Sequence, residues 1–163
     1  MRCVKGSVSD VAHNALAVET AVSEFGHLDG AVLNAGMAGR IDLFDGDMEF
    51  FDEVMDVNVR AVILGIRACA SAMRPGSAIT VTASTSGMRG DPGMWVYNTS
   101  KAAVINLVRS TSMDLAAKGI RINAVCPGPT ETGMTTRFEG EPYDDMKSRI
   151  PLQRWGNALE VAA

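Results

Sequence analysis

Short apolar runs bounded by turn residues alternate along the chain with longer stretches in which apolar residues recur every three or four positions. Residues 2–8, RCVKGSV, predict a short strand, and Ser9 or Asp10 can cap a helix over residues 11–25 whose apolar stripe is Ala15, Val18, Ala21 and Val22. Gly26 ends that helix. Residues 28–33 predict a second strand running into Asn34-Ala35-Gly36, small residues that let another backbone or a ligand approach closely. A loop over 37–46 leads into a long helical pattern over 48–73, in which Phe51, Val54, Met55, Val62, Ile66 and Cys69 share a stripe with one polar member, Asn58. After Pro75-Gly76, residues 77–82 predict a third strand that delivers Ser84. A second long helix, 94–117, ends before Gly119; residues 120–125 predict a fourth strand, followed by Cys126-Pro127-Gly128-Pro129-Thr130-Glu131-Thr132. Residues 133–150 are polar and marked by Gly and Pro, as a lid or loop would be, and residues 159–163 begin another helix.

Strands alternating with helical stretches predict a parallel sheet covered on both faces, an α/β fold, in one domain spanning residues 1–163. Ligands of such sheets bind at the carboxyl ends of the strands. The polar residues that stand out, Asn34, Ser84 and Thr132, each follow a predicted strand end. A chain of 163 residues that is 47% hydrophobic can bury one core. Its net charge of -4, with no Lys/Arg cluster, argues against nucleic acid or an anionic membrane as the main partner. Cys3, Cys69 and Cys126 are widely separated and the histidines are only His13 and His27, so neither a structural metal nor a disulfide framework is expected. No stretch has the length of a membrane span and the N-terminus lacks a signal-peptide core, which points to a cytoplasmic protein.

The candidate chemistry lies between Ser84 and Lys101, STSGMRGDPGMWVYNTSK. Tyr97 and Lys101 fall one helical turn apart on one face, just after the strand that ends near Ser84. A phenol with a pKa of about 10 is a poor acid or base at neutral pH, whereas a neighbouring cation favours the phenolate. The spacing alone is common: Tyr143 and Lys147 repeat it in an acidic, loop-like segment. Context distinguishes the two pairs, because only Tyr97 opens an apolar helix after a strand.

With LDGAVLNAG, MDVNVRAV, ITVTAS, YNTSK and RINAVCPGPTET in this order, and thirteen residues from Ser84 to Tyr97, the chain resembles the short-chain dehydrogenases/reductases over nearly its whole length. The resemblance implies a Rossmann-like doubly wound parallel sheet and an NAD(P)-dependent oxidoreductase that interconverts a secondary alcohol and a ketone. In that family's terms Tyr97 is the general acid/base, Ser84 hydrogen-bonds the reacting oxygen, Lys101 lowers the phenol's pKa and bonds the nicotinamide ribose, and Asn58 positions a water in a proton relay. Cofactor contacts, to NAD or NADP, are implied for Asn34, Ala35 and Gly36 beside the adenosine and for Pro127, Gly128 and Thr132 around the nicotinamide. A homo-oligomer, dimer or tetramer, assembled through the two long helices is implied as well.

The departures from the family pattern are as informative. Leu33 stands where the family has the first Asn of its Asn-Asn-Ala-Gly, and Ser7 where it has an Asp that bonds the adenine. The family's glycine-rich strand-turn-helix is not found ahead of residue 1, nor its last strand after Ala163. The chain therefore reads as an internal part of a longer reductase, its sheet incomplete and Met1 an internal methionine or misassigned start. A different class of protein, a non-catalytic interaction module or inactive fragment that associates through its long helices, is the alternative, and a titration with NADH and NADPH separates the two. For the substrate, Met88, Met94, Trp95, Met134 and Phe138 are candidates to line a mostly apolar pocket for a medium-sized or cyclic alcohol or ketone, with Arg137 available to an anionic group.

Overall fold

A computed structural model of the protein describes residues 1–135 and 147–163. The chain divides into two compact units, Met1–Val125 and Cys126–Ala163. The first contains α1 (Val11–Phe25), β1 (Leu28–Leu33), α2 (Met48–Met55), a π-helical turn (Asp56–Arg60), α3 (Ala61–Ala72), β2 (Met73–Thr82), a 3-10 turn (Thr85–Met88), α4 (Trp95–Ala116) and β3 (Arg121–Val125). The second contains β4 (Thr130–Glu131), β5 (Gly156–Asn157) and α5 (Ala158–Ala162). None of the described helices is long and apolar enough to cross a membrane.

The sheet of the first unit is parallel, in the order β1-β2-β3, so β2 is central. Ser77, Ile79 and Val81 alternate along β2 as fully buried positions, with Ile79 and Val81 both 0% exposed, and Ile79 pairs with the buried Ile122 of β3. This is the two-residue period of a strand whose inner face carries the core. α3 packs on β1 and β2, α4 on β3, and α1 on β1 and α3. Gly65 permits the approach of α3 to β1, since a Cβ there would lie 2.8 Å from Leu33 Cδ2.

Local chemistry accounts for most boundaries. The Asp10 carboxylate caps α1 by accepting the Ala12 N–H at 2.8 Å, and Gly26, at φ 82°, closes it by donating to the Val22 carbonyl. α3 ends where Met73 turns extended, and β2 has an irregularity around Gly76, at φ 96°, whose N–H donates to the Gly119 carbonyl at 2.8 Å.

Four expectations change. Residues 2–8 form no strand: a strand exists only by pairing, and among the described residues this segment has no neighbour in the sheet, so most of it is exposed chain ending in a turn at Ser7–Asp10. The helix expected over 48–73 is interrupted by the π-turn at Asp56–Arg60, which places Asn58 at 0% exposure. Its last residue, Met73, instead pairs with Leu28 and begins β2, so that strand starts before Ser77. The stripe on α1 is shallower than its period implies: Val18, Ala21 and Val22 are half-buried and Ala15 is exposed. Much of the lid expected over 133–150, residues 136–146, lies outside the described residues.

Candidate active site

β2 carries the chain to Ala83, whose N–H is held by the Val125 carbonyl at 2.8 Å, and so sets Ser84 at the carboxyl end of the central strand. Ser84 is 8% exposed, and its Oγ accepts the Ser86 N–H at 3.1 Å, capping the 3-10 turn. That bond occupies the oxygen as acceptor and leaves the hydroxyl hydrogen to donate. Gly87 lets the turn lie against α4: a Cβ would stand 2.7 Å from the Lys101 carbonyl carbon and 2.8 Å from the Ala102 nitrogen.

α4 brings Tyr97 and Lys101 to the same place. Burial pushes the Tyr97 phenol's pKa above the ordinary value of 10.0, and the Ser84 hydroxyl beside it pulls it back in part. The Lys101 Nζ, 4% exposed, donates to the Thr82 carbonyl at 2.9 Å and stands 5.8 Å from the centroid of the Tyr97 ring. In the protein alone burial therefore dominates the phenol, in the opposite direction to the lowering expected from Lys101. Its protonated form is the one held at neutral pH.

Asn58 enters from the π-turn. Its Oδ1 accepts the Met37 N–H at 2.8 Å, while its Nδ2 donates to the Met37 carbonyl at 2.8 Å and to Ser100 Oγ at 3.0 Å. Ser100 Oγ in turn donates to the Tyr97 carbonyl at 2.7 Å. A π-turn adds a residue to one turn of helix and often occurs where a side chain must be turned inward. Here it presents an amide to the loop after β1 and to the turn of α4 that bears Tyr97. Gly36 lies between the charged and amide groups, since a Cβ on it would be 3.3 Å from Asn58 Oδ1 and 3.4 Å from Lys101 Nζ.

Of the expected site residues, Gly36, Asn58, Ser84, Tyr97 and Lys101 are thus assembled. Asn34 joins them through Thr82: the Thr82 hydroxyl donates to Asn34 Oδ1 at 2.9 Å, while the Thr82 carbonyl holds Lys101. Asn34 and Ala35 also line a cleft of about 230 Å³ with Val8, Asn14, Val32 and Val62. Ser7 keeps to its own turn, its Oγ accepting the Ser9 N–H at 3.2 Å. Pro127, Gly128 and Thr132 belong to the second unit, where Thr130 Oγ1 donates to the Gly128 carbonyl at 3.0 Å and Thr135 Oγ1 accepts the Thr132 N–H at 2.9 Å.

The residues expected to line a substrate pocket fall in different settings. Trp95 is a packing residue: its Nε1 donates to the Ile41 carbonyl at 3.1 Å and its ring stacks on Phe51 at 5.9 Å, against a core of Ile41, Val54 and Val96. Met88 and Met134 are 63% and 37% exposed, Met94 is half-buried, and Arg137 and Phe138 lie outside the described residues, as does Tyr143 of the look-alike pair. Sequence reasoning missed Ser100 and Thr82: the Ser100 hydroxyl joins the Asn58 amide to the Tyr97 carbonyl, and Thr82 holds Lys101 by its own backbone carbonyl, partners that residue type does not reveal. Among the described residues, no group of three or more His, Cys, Asp or Glu side chains could hold a metal ion.

A three-stranded parallel sheet with helices packed on it and polar side chains gathered at its carboxyl end defines a Rossmann-like α/β protein. The family model described as enoyl-(acyl carrier protein) reductase matches residues 1–163. The chain is 39% identical to 2-(R)-hydroxypropyl-CoM dehydrogenase of Xanthobacter autotrophicus, covering 98% of this chain and 66% of that protein. It is 33% identical to a 3-oxoacyl-[acyl-carrier-protein] reductase of Staphylococcus aureus, covering 98% and 65%. Among solved structures, a short chain dehydrogenase from Burkholderia cenocepacia in complex with NADP superposes with a TM-score of 0.90 at 36% identity, over 97% of this chain and 64% of that one. The chain belongs to the short-chain dehydrogenase/reductase family, and it spans just under two thirds of the length of these relatives.

Proposed function

We propose that the protein is an NAD(P)-dependent oxidoreductase that interconverts a secondary alcohol and a ketone. The observation that carries this reading is the gathering of the buried Ser84 hydroxyl, the Tyr97 phenol and the buried Lys101, its Nζ 5.8 Å from the Tyr97 ring, at the end of the central strand. The residues fit a nicotinamide cofactor: Lys101 offers donors to a ribose, Gly36 leaves room beside it, and the cleft at Asn34 and Ala35 can take the adenosine end. The cofactor, when bound, supplies or accepts the hydride.

In the direction of reduction, Tyr97 gives its phenolic proton to the carbonyl oxygen, and Ser84, whose Oγ already accepts from Ser86, donates its hydroxyl hydrogen to the same oxygen. In oxidation the phenolate takes the proton back. The Lys101 ammonium steadies the phenolate while it exists. Reprotonation runs through Lys101, and Asn58, on the other side of Gly36, positions the loop at Met37 beside which the relay water sits. The names of the relatives support the substrate class, since a 2-hydroxypropyl group is a secondary alcohol and a 3-oxoacyl group a ketone.

Titration of the protein with NADH and with NADPH, followed by fluorescence, tests the reading. It requires a saturable signal with one or both, and no saturable signal with either overturns it.

A further inference from the structure

Two loops leave the catalytic group and join each other. One runs from Gly36, beside Asn58 Oδ1 and Lys101 Nζ, to Ile41; the other runs from the turn capped by Ser84 to Met94, the cap of the helix that carries Tyr97. They meet at Ile41, whose N–H donates to the Gly93 carbonyl at 3.2 Å and whose carbonyl accepts Trp95 Nε1 at 3.1 Å. The start of the first loop is fixed as well, since Asn58 holds both the N–H and the carbonyl of Met37. Arg40 stands between these anchors. Its stem runs alongside Gly93, four residues ahead of Tyr97, where a Cβ would lie 3.9 Å from Arg40 Cδ.

The charges near this junction differ in what engages them. Arg89 Nε faces Asp91 Oδ1 at 3.2 Å. Asp42, the carboxylate nearest to Arg40 in sequence, accepts the Phe44 and Asp45 N–H groups at 2.8 and 3.0 Å. Arg40 is exposed, and among the described residues neither a carboxylate nor a carbonyl engages its guanidinium. A guanidinium has five donors and no acceptor, keeps its charge at any working pH, and matches the two oxygens of a carboxylate with its planar fork. Here it is carried on a backbone tied on one side to Asn58 and on the other to the first turn of the Tyr97 helix.

We propose that the substrate is a hydroxy acid or keto acid, and that Arg40 binds its carboxylate while Ser84 and Tyr97 hold the reacting oxygen. The proposal rests on the oxidoreductase reading above and names the substrate class of the same site.

The test measures reduction of 3-oxobutanoate, 4-oxopentanoate and 5-oxohexanoate, each beside its methyl ester, with whichever of NADH and NADPH binds. At one chain length or more, wild type has a kcat/KM for the acid about tenfold above that for the ester, the effect of one charge-assisted hydrogen bond, and the difference lies in KM. Arg40→Met keeps the apolar stem and removes the charge. Its ester kinetics and cofactor dissociation constant stay within twofold of wild type, while its acid-to-ester ratio falls about tenfold. An acid-to-ester ratio at or below unity at every length in wild type, or one that Arg40→Met leaves unchanged, overturns the proposal. So does a wild type that binds the dinucleotide and reduces none of the six compounds, and in all three cases the cofactor reading stands. Failure of wild type to bind either dinucleotide overturns both.

Discussion

Ser100 joins Asn58 to the turn of α4 that carries Tyr97, and Ser100→Ala removes the joint while leaving the backbone and the local volume almost unchanged. The substitution deletes an acceptor 3.0 Å from Asn58 Nδ2 and a donor 2.7 Å from the Tyr97 carbonyl. The carbonyl keeps its helical partner, so its loss is small. The Asn58 N–H does not fare as well: Asn58 and Ser100 are both 0% exposed, so no water can replace the hydroxyl. Leaving one buried amide donor without a partner costs about 1–3 kcal/mol, and about 2 kcal/mol is expected for the whole substitution. For a chain of this length that is a fall in Tm of about 4–8 °C. Equilibrium urea unfolding by circular dichroism, with Ser110→Ala on the exposed side of the same helix as control, measures it. The control stays within about 0.5 kcal/mol of wild type. A Ser100→Ala protein equally close to wild type would refute the argument that this hydroxyl is a buried joint.

Gly87→Ala places a methyl against the α4 backbone, which cannot yield as a side chain could. The 3-10 turn is then displaced, at a cost of about 1–3 kcal/mol read as a lowered Tm. The Tyr97 phenol is expected to titrate above its ordinary value, and Tyr143→Phe leaves it the only tyrosine, so ultraviolet difference absorbance follows it alone. Because the Ser84 hydroxyl lowers it, Ser84→Ala moves the midpoint further up; a midpoint below 10.0 in the Tyr143→Phe protein contradicts the burial argument. The sign for stability follows: the folded state holds the phenolic proton more tightly than the unfolded state. Its contribution is complete below the unfolded value near 10.0 and is lost as pH rises through the higher folded value, which urea unfolding from pH 9 to 12 detects.

How much of this was legible in the sequence depended on how local its cause is. α1 ran over the expected residues because its cap, Asp10, and its terminator, Gly26, act within their own turn. The apolar runs at Leu28–Leu33 and at Ile79 and Val81 became strands because each has neighbours to pair with. RCVKGSV has the composition of a strand without a partner, and composition alone does not form a ladder. The π-turn escaped notice because what draws Asn58 inward is the backbone of Met37, twenty-one residues away, and Ser100, forty-two away. Asn58 was recognisable as the odd polar residue on an apolar stripe, but its two partners, Met37 and Ser100, were not. For Trp95, its place next to the candidate tyrosine is legible in the sequence, but the engagement of its indole N–H and ring by Ile41 and Phe51 is not. For Tyr97, spacing brought the ammonium near, but whether burial or charge governs the phenol depends on depth, which spacing does not encode.

The account stands on Tyr97 as the proton donor and acceptor. Turnover of a secondary alcohol or ketone by wild type and by Tyr97→Phe, compared at matched cofactor occupancy, examines that role most directly. Phenylalanine keeps the ring and removes only the hydroxyl, so the account predicts an unchanged cofactor dissociation constant and a rate lower by about a hundredfold or more. A Tyr97→Phe protein that turns over within a few-fold of wild type would contradict it.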